Sequence, residues 1–339
     1  SGLMYYNLKE LNLPVSIYKL GMVYPISTKK MKELSQRYEN ILVLEEMMPF
    51  IENELKLMGI HCKGKEYFSF TGELHTENIE EGLYNAGILK EIKYSKVEKT
   101  STVSRPPMFC AGCPHRPIFD ILKKMKVKVI GDIGCYSMSV LPAFEASHVM
   151  ISMGATVGVT KGMNKAMRAN GSDEPIVSVI GDGTFFHSGM PGFVNLLHQA
   201  DEKDNMTFIV LDNRTTAMTG GQPNASSGLY NETDDMDISI KELLNTMGIE
   251  NVIEVDQFDY KHTREVIVGE TKKEGISVII ATRPCALRYK IKEPHYYVDP
   301  NICIGCRSCV KTNCPPIRMK EYEGIDKLKS SIDPDACVG

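Results

Sequence analysis

The sequence lacks the features that mark membrane, secreted or disordered chains. Its longest apolar runs, residues 176–180 and 276–281, are far shorter than the roughly 20 residues that a membrane-spanning helix needs. Its first residues do not show the basic, apolar and small-residue order of a secretory signal. It also has no low-complexity tract. We therefore expect a globular chain in the cytoplasm.

Excess positive charge is missing as well. The formal net charge is -4, with lysine and arginine spread along the chain, so nothing favours a nucleic-acid partner. The 339 residues suffice for two or three domains, and 42% hydrophobic with 24% charged residues is typical of soluble proteins. The ten cysteines lie mostly at metal-type spacings, which favour metal or cluster binding over disulfides, and we expect a reducing, anaerobic cell.

The apolar pattern predicts an α/β chain of three parts. Residues 1–95 alternate strand-like runs (15–20, 41–44) with helix-like ones (29–36, 48–58), and residues 96–107 have the polar, proline-marked composition of a linker. Residues 108–292 predict a parallel sheet covered on both faces, because their strands are apolar throughout. The expected strands are 127–130, 176–180, 207–211, 252–255 and 276–281, separated by helices at 117–126, 155–167, 192–199, 238–247 and 262–272. Residues 293–339 are too rich in Cys and Pro to build a core without a metal cluster.

A glycine-bounded aspartate follows the strand at 176–180. Gly181 and Gly183 would let backbone approach a phosphate, and Asp182 offers the oxygen ligand that Mg²⁺ takes beside phosphate oxygens. The next strand ends near Asn213 and Thr215, which can supply two more oxygens. Alone, Gly-Asp-Gly is common in tight turns, but its place at the carboxyl end of a parallel strand predicts a magnesium-diphosphate site. Because Asn213 lies at the spacing seen in the thiamine diphosphate motif, the segment resembles that motif, which implies a site for the diphosphate of thiamine diphosphate.

Further residues of this site are predicted around it. Thr216 and Met218 precede paired glycines, which again permit close backbone approach. Met153 and Gly154 lie before a helix, where Met153 would present an apolar side chain to the thiazolium, although methionines of this stretch are more often core residues.

The last part of the chain carries a cysteine run close to that of bacterial ferredoxins. Cys303, Cys306 and Cys309 are each three residues apart, and Cys314-Pro315 follows after four intervening residues, where ferredoxins have three. Zinc is the alternative, but zinc sites usually pair two separated Cys-x2-Cys motifs. We predict iron-sulfur ligation, with Cys303, Cys306 and Cys309 serving one [4Fe-4S] cluster and Cys314 and Cys337 the other.

Cys110 and Cys113 form a second group, for which a redox pair, half of a metal site and simple packing are all open. Cys135 and Cys285 each follow a predicted strand and would converge with them to hold a further cluster.

Other polar residues have weaker predictions. His115 and Arg116 precede a helix and are candidates to face substrate or diphosphate, with His115 a candidate catalytic residue. His187 is less favoured for function, and the pair Glu45-Glu46 is most simply solvated.

Together these motifs resemble the 2-oxoacid:ferredoxin oxidoreductases, specifically large subunits of the indolepyruvate type, along essentially the whole chain. The segments that carry the resemblance are 110–116, 131–136, 153–155, 181–183, 211–222, 284–287 and the final cysteine run. The resemblance implies a thiamine diphosphate domain at 108–292, preceded by a partial transketolase C-terminal-like α/β domain at 1–95 and followed by a truncated ferredoxin-like domain at 293–339. Residues 20–25 and 43–46 look like that transketolase-type domain.

The resemblance also implies a reaction. An aryl pyruvate such as indolepyruvate would react with coenzyme A and oxidised ferredoxin to give an aryl acetyl-CoA, carbon dioxide and reduced ferredoxin, with a small beta subunit as partner. A relative that acts on pyruvate or a branched 2-oxoacid, and an electron-transfer module with a vestigial cofactor domain, are the alternatives.

The sequence starts within a helix-like pattern and stops after the first cysteine of what resembles a second cluster motif, so we expect a fragment. The glutamate with which thiamine enzymes activate the cofactor is then expected outside it. We predict that residues 1–339, reconstituted with thiamine diphosphate, Mg²⁺ and clusters, do not oxidise indolepyruvate. A viologen-reduction assay checks this, and measurable turnover would contradict it.

Overall fold

The structure is a computed structural model that describes residues 2–94, 103, 106–201, 203–228 and 237–339. The chain divides into two compact units, residues 1–104 and 105–339. Most of the predicted linker at 96–107 lies outside the described residues. The structure describes no helix that combines the length and the apolar character needed to cross a membrane.

The first unit is built mainly from four helices: α1 (Leu3–Glu10), α2 (Thr28–Arg37), α3 (Phe50–Leu57) and α4 (Thr76–Asn85). The Ser27 hydroxyl accepts a hydrogen bond from the backbone N–H of Lys30 and so caps the start of α2. The helices α2 and α3 confirm the helices predicted at 29–36 and 48–58.

The two strands predicted in this unit are wrong. Residues 15–20 are not a strand, and the run at 41–44 forms only a single parallel bridge, between Leu42 and Lys63. The backbone N–H of Val43 donates to the carbonyl of Lys63 at 2.7 Å, and the N–H of Lys63 donates to the carbonyl of Ile41 at 3.1 Å. A strand persists only where a neighbour continues the ladder, and none of the described residues continues this one.

Glu45 and Glu46 also differ from their prediction. Glu45 is buried, and its carboxylate accepts hydrogen bonds from the backbone N–H groups of Ile51 and Glu52 at 2.7 and 3.0 Å. These N–H groups lie in the first turn of α3 and have no acceptor within the helix. Glu45 therefore caps the helix, and its negative charge interacts favourably with the positive end of the helix dipole. Glu46 accepts from the N–H of Leu74 at 2.9 Å. The pair is therefore structural.

The second unit contains a five-stranded parallel sheet. Its strands are β1 (Lys128–Ile130), β2 (Ile176–Gly181), β3 (Asn205–Asp212), β4 (Val252–Val255) and β5 (Gly275–Thr282), in the order β1-β2-β3-β5-β4. Its main helices are α5 (His115–Met125), α6 (Ala155–Ala169), α7 (Asp182–Thr184), α8 (Met190–His198), α9 (Ile240–Met247) and α10 (Tyr260–Glu270). All five predicted strands and all five predicted helices of this region are confirmed, to within a few residues at their ends.

Apolar side chains cover both faces of this sheet. On β3, Phe208 and Val210 join one buried cluster with Phe193, while Ile209 and Leu211 join another with Phe119. Successive strand residues point to opposite faces, so strands that are buried on both sides must be apolar throughout. The predicted α/β class with a parallel sheet is confirmed.

The chain ends in a cysteine-rich segment with little regular structure. A single turn of 3-10 helix (Val310–Thr312) precedes an antiparallel pair, β6 (Ile317–Tyr322) and β7 (Ile325–Ile332). Few of its residues are buried, as expected for a segment without a core of its own.

Candidate functional site

The carboxyl ends of β2 and β3 lie side by side. Gly181, the last residue of β2, is paired with Leu211 of β3, so the residues that follow each strand emerge at the same edge of the sheet. Asp182 opens the short helix α7, which continues through a π-helical turn (Phe185–Gly189) into α8. Asp212 ends β3 and is followed by Asn213.

The side-chain oxygens of Asp182 and Asn213 both lie near the backbone N–H of Thr215. Asp182 is buried, and one of its carboxylate oxygens accepts from the N–H of Gly183 at 2.8 Å. Its other oxygen accepts from the N–H of Thr215 at 3.0 Å, and the side-chain oxygen of Asn213 lies 3.3 Å from the same nitrogen. The predicted ligands Asp182, Asn213 and Thr215 are thus neighbours.

The Asp182 carboxylate has no positively charged partner among the described side chains. Burial is the main cause that raises the pKa of this carboxyl, and the nearby charge of Asp212 raises it further. The hydroxyl of Ser226 lies within hydrogen-bond distance of both carboxylates, 3.3 Å from Asp182 and 3.0 Å from Asp212. A divalent cation beside Asp182 would remove this repulsion, so the carboxylate, amide and carbonyl oxygens present fit Mg²⁺.

The two positions on either side of Asp182 accept only glycine, because a Cβ atom there would collide with a neighbouring side chain. A Cβ atom on Gly181 would lie 2.7 Å from the ring of Tyr136, and one on Gly183 would collide with the hydroxyl of Thr216. Thr215 and Thr216 are held by Gln222, whose carbonyl accepts from the Thr215 hydroxyl at 3.0 Å and from the Thr216 N–H at 2.9 Å. The backbone here is tightly packed, as a surface for a diphosphate requires.

Asp132 is a residue of this edge to which the sequence analysis assigned no role. It is fully buried after β1, and its carboxylate accepts from the N–H groups of Gly154 at 2.9 Å and Thr156 at 3.3 Å. It therefore fixes the turn before α6. Its position shortly after a strand is the signal that could have identified it, because Asp182 also follows a strand.

The two predicted methionines are on the surface of their unit. Met153 and Met218 are both exposed, whereas Gly154 is half-buried against Ser188. The side-chain oxygen of Ser188 is buried and has no hydrogen-bond partner in the described structure.

His115 lies at the start of α5, on the same edge of the sheet. It is buried, and its Nε2 is 3.4 Å from the side-chain nitrogen of Asn213. Its Nδ1 has no hydrogen-bond partner among the described residues. Burial lowers the pKa of this imidazole to about 4, so the ring is neutral at physiological pH. The ring therefore adjoins a predicted magnesium ligand.

Arg116 does not face the diphosphate site. Its guanidinium donates to the carbonyl of Cys110 at 3.0 Å and to those of Thr312 and Asn313 at 2.8 and 2.7 Å, in the cysteine-rich segment. The expectation that it faces substrate or diphosphate is therefore wrong, because adjacent helix residues point in directions about 100° apart. His187 lies in the π-helical turn (Phe185–Gly189), three residues before the start of α8, and keeps no assigned role.

Cys110, Cys113, Cys135 and Cys285 lie near one another. Burial raises the pKa of Cys113 to about 12 and that of Cys135 to about 11, with smaller contributions from neighbouring thiols. Cys285 raises the pKa of both Cys110 and Cys135. All four are free thiols. Thiols so buried ionise at neutral pH only beside a cation or a metal.

The cysteines of the last segment form two neighbourhoods. The thiol of Cys309 donates to the hydroxyl of Ser330 at 3.0 Å, and the N–H of Ser330 lies 3.4 Å from the sulfur of Cys303. Cys306 acts electrostatically on Cys303, and Cys337 on Cys314. The division of these cysteines between two clusters stays a prediction.

No three or more His, Cys, Asp or Glu side chains in the described ranges surround a point where a metal ion could bind. The cysteines are thus brought together without the geometry of a ligand set. Their chemistry fits iron-sulfur ligation, which stays a prediction.

Comparison with known proteins defines the class of the second unit. Residues 132–281 match the family described as "Thiamine pyrophosphate enzyme, C-terminal TPP binding domain". This range contains Asp132, Gly154, Asp182 and Asn213.

The whole chain resembles particular curated proteins. It is 33% identical over 360 residues to "Indolepyruvate oxidoreductase subunit IorA" of Pyrococcus abyssi, covering 96% of this chain and 54% of that protein. It is 31% identical over 357 residues to the protein of the same name from Methanothermobacter thermautotrophicus, covering 99% and 55%. The resemblance to large subunits of the indolepyruvate type is thereby confirmed. The chain spans about half the length of these relatives.

A solved structure is also similar in part. The 2-oxoglutarate:ferredoxin oxidoreductase from Magnetococcus marinus, with 2-oxoglutarate, coenzyme A and succinyl-CoA bound, is 24% identical, with a TM-score of 0.44 and coverage of 58% of this chain and 75% of that one. A TM-score of 0.44 is too low to establish a common fold.

The turn before α6 provides a test of the site's packing. Gly154 has a positive φ of 79°, and a Cβ there would lie 2.6 Å from the Ser188 hydroxyl and 2.8 Å from its carbonyl oxygen. We expect Gly154→Ala to destabilise the second unit by about 1–3 kcal/mol, from strain at a position that L side chains avoid. Hydrogen exchange of α6 and β2 amides during urea unfolding measures this.

Gly158→Ala is the matched control. Gly158 lies in α6 with open space at its Cβ position, so alanine should be neutral or stabilise by about 0.5–1 kcal/mol. Equal effects of the two substitutions would show that the Gly154 turn is not tightly packed.

Proposed function

We propose that this chain is the cofactor-binding part of a thiamine diphosphate-dependent 2-oxoacid:ferredoxin oxidoreductase that acts on aryl pyruvates such as indolepyruvate. The observation that supports this most is the buried Asp182 carboxylate. It lies at the carboxyl edge of a parallel sheet, within the range matched to the thiamine pyrophosphate family, and lacks a cation partner in the described structure.

In this proposal Asp182, Asn213 and the Thr215 carbonyl hold Mg²⁺, and the magnesium holds the diphosphate. Gly181, Gly183 and Gly154 let the backbone pack closely against Tyr136, Thr216 and Ser188 and so shape the site, and Thr216, Met218 and Met153 would contribute further contacts to the cofactor. Asp132 fixes the Gly154 turn through the hydrogen bond at 2.9 Å. When bound, thiamine diphosphate supplies an electron sink for decarboxylation.

His115 orients the side chain of Asn213 in this site. Because its imidazole is neutral and buried 3.4 Å from the Asn213 amide nitrogen, it can accept a hydrogen bond there and turn the amide oxygen toward the magnesium. This is a positioning role, and it needs no change of protonation during turnover.

The cysteines would hold iron-sulfur clusters, which can accept electrons one at a time. We propose that Cys110, Cys113, Cys135 and Cys285 hold a [4Fe-4S] cluster beside the thiamine site, and that Cys303, Cys306, Cys309, Cys314 and Cys337 contribute to two more. In the overall reaction the bond between the carboxylate and the keto carbon breaks, carbon dioxide leaves, and the acyl group forms a thioester with coenzyme A. Two electrons pass one at a time to oxidised ferredoxin, and the coenzyme A thiol releases a proton. The small beta subunit is the proposed partner, and the cytoplasm the proposed location.

Asp182 provides the test of cofactor binding. We expect Asp182→Asn, which keeps the shape but removes the charge, to weaken Mg²⁺-dependent binding of thiamine diphosphate at least tenfold, or about 1.4 kcal/mol. Calorimetric titration of the chain with Mg²⁺ and thiamine diphosphate measures it. Asp201→Asn is the control, since that half-exposed carboxylate lies outside the site in an ion pair with Arg168.

Equal binding by both variants would contradict the assignment of Asp182. If the wild-type chain bound no thiamine diphosphate with its partner subunit present, an electron-transfer module with a vestigial cofactor domain would be favoured.

The substrate is tested separately. Because the relatives are named for indolepyruvate, we expect the full-length subunit with its partner to reduce viologen faster with indolepyruvate than with pyruvate or a branched 2-oxoacid. Ratios of kcat/KM across this panel measure the preference. A higher ratio for pyruvate or a branched 2-oxoacid would replace the aryl assignment while leaving the class of reaction unchanged.

A further inference from the structure

Arg116 joins two loops that are nearly 200 residues apart in sequence. It lies in the first turn of α5, directly after the first cysteine loop, residues 109–114. Its guanidinium donates to the carbonyls of Phe109 and Cys110 in that loop. It also donates to the carbonyls of Thr312 and Asn313, in the second cysteine loop, residues 312–315. One side chain therefore binds both cysteine loops.

All these acceptors are neutral backbone oxygens. Arg116 is only 9% exposed and forms no ion pair with a carboxylate of the described residues. A buried guanidinium stays protonated, so its charge is costly unless an anion lies near. The ionisable groups whose charge acts on it are the thiols of Cys314, Cys113 and Cys110.

Cys314 is the thiol best placed to provide that anion. It is half-buried, and the backbone N–H of Gly112, in the first cysteine loop, donates to its sulfur. Gly112 has a φ of 64°, and a Cβ there would lie 3.2 Å from the side chain of Ala286 and collide with Val338. The two cysteine loops are thus in close contact at Cys314.

We propose that Arg116 is a positioning residue that fastens the two cysteine loops to each other and supplies the buried positive charge that offsets the thiolates of the iron-sulfur group bound there. The fastening depends on this chain alone. The role of the charge rests on the proposed function, because thiolates need a bound metal or cluster to persist in a buried site.

Two substitutions separate the roles. Arg116→Gln removes both the charge and the planar fork of donors, whereas Arg116→Lys keeps the charge but cannot bind carbonyls of both loops as Arg does. Arg318→Gln is the control, because Arg318 lies in the same segment with its side chain 64% exposed in an ion pair with Asp333. The control removes the same charge from the surface.

Fastening is measured by hydrogen exchange of the chain without metal. We expect peptides that cover residues 310–316 to exchange at least tenfold faster in both Arg116 variants and at the wild-type rate in Arg318→Gln. Exchange in β2 and β3 serves as the test that the variants are folded. Wild-type rates at 310–316 in a folded Arg116→Gln chain would overturn the proposal.

The role of the Arg116 charge is tested by the midpoint potential of the iron-sulfur group. This potential is measured in the anaerobically reconstituted chain by titration with dithionite, followed by EPR. A nearby positive charge favours the more negative, reduced group, so Arg116→Gln should shift a midpoint potential to a more negative value. In Arg116→Lys the midpoint potential should lie close to the wild-type value, because lysine keeps the positive charge. In Arg318→Gln the potential should be unchanged. Unchanged potentials in Arg116→Gln would overturn the charge role. A wild-type chain that takes up no iron would overturn it too, together with the cluster part of the proposed function, while the exchange result still decides the fastening.

Discussion

Parallel hydrogen bonding between β2 and β3 is the constraint on which the candidate site depends. Because Gly181 is paired with Leu211, the residue after each pairing, Asp182 or Asp212, must emerge at the same height on the same edge. The two carboxylates cannot move apart without breaking strand pairs in the centre of the sheet. Their proximity is therefore built into the fold. Arg214 offsets the charge of Asp212 through an ion pair at 3.2 Å, whereas Asp182 receives only hydrogen bonds, among them those from the Ser226 hydroxyl and the Thr215 N–H.

The sheet and this edge could be predicted from sequence because both depend on short-range patterns. A strand covered on both faces is apolar at every position, and such a run is recognisable alone. Once two neighbouring parallel strands are identified, the polar residues at their carboxyl ends must be close, since parallel strands end on one side. That is why Asp182 and Asn213 could be predicted as neighbours although more than thirty residues separate them.

Residues whose role depends on a distant segment could not be predicted in this way. Glu45 was interpreted as solvated because nothing in its own neighbourhood shows that its carboxylate reaches the first turn of α3. Arg116 was interpreted with His115, its neighbour in sequence, but the two side chains leave the helix in different directions, one toward Asn213 and one toward Thr312. The strand predicted at 15–20 failed for a related reason, since a strand requires a partner that its own sequence does not specify.

Like Asp132, which fixes the turn before α6, the buried residues Asp182 and Arg116 of the second unit have no oppositely charged side-chain partner among the described residues. An ion pair between them would have satisfied both, yet each is held by backbone groups, Asp182 by N–H donors and Arg116 by carbonyl acceptors. Backbone hydrogen bonds fix the position of a charge without neutralising it. A carboxylate held in this way attracts a cation, and a guanidinium attracts anionic thiolates. In the proposed function the two charges serve different groups, Asp182 the magnesium ion and Arg116 the thiolates of the cysteine loops.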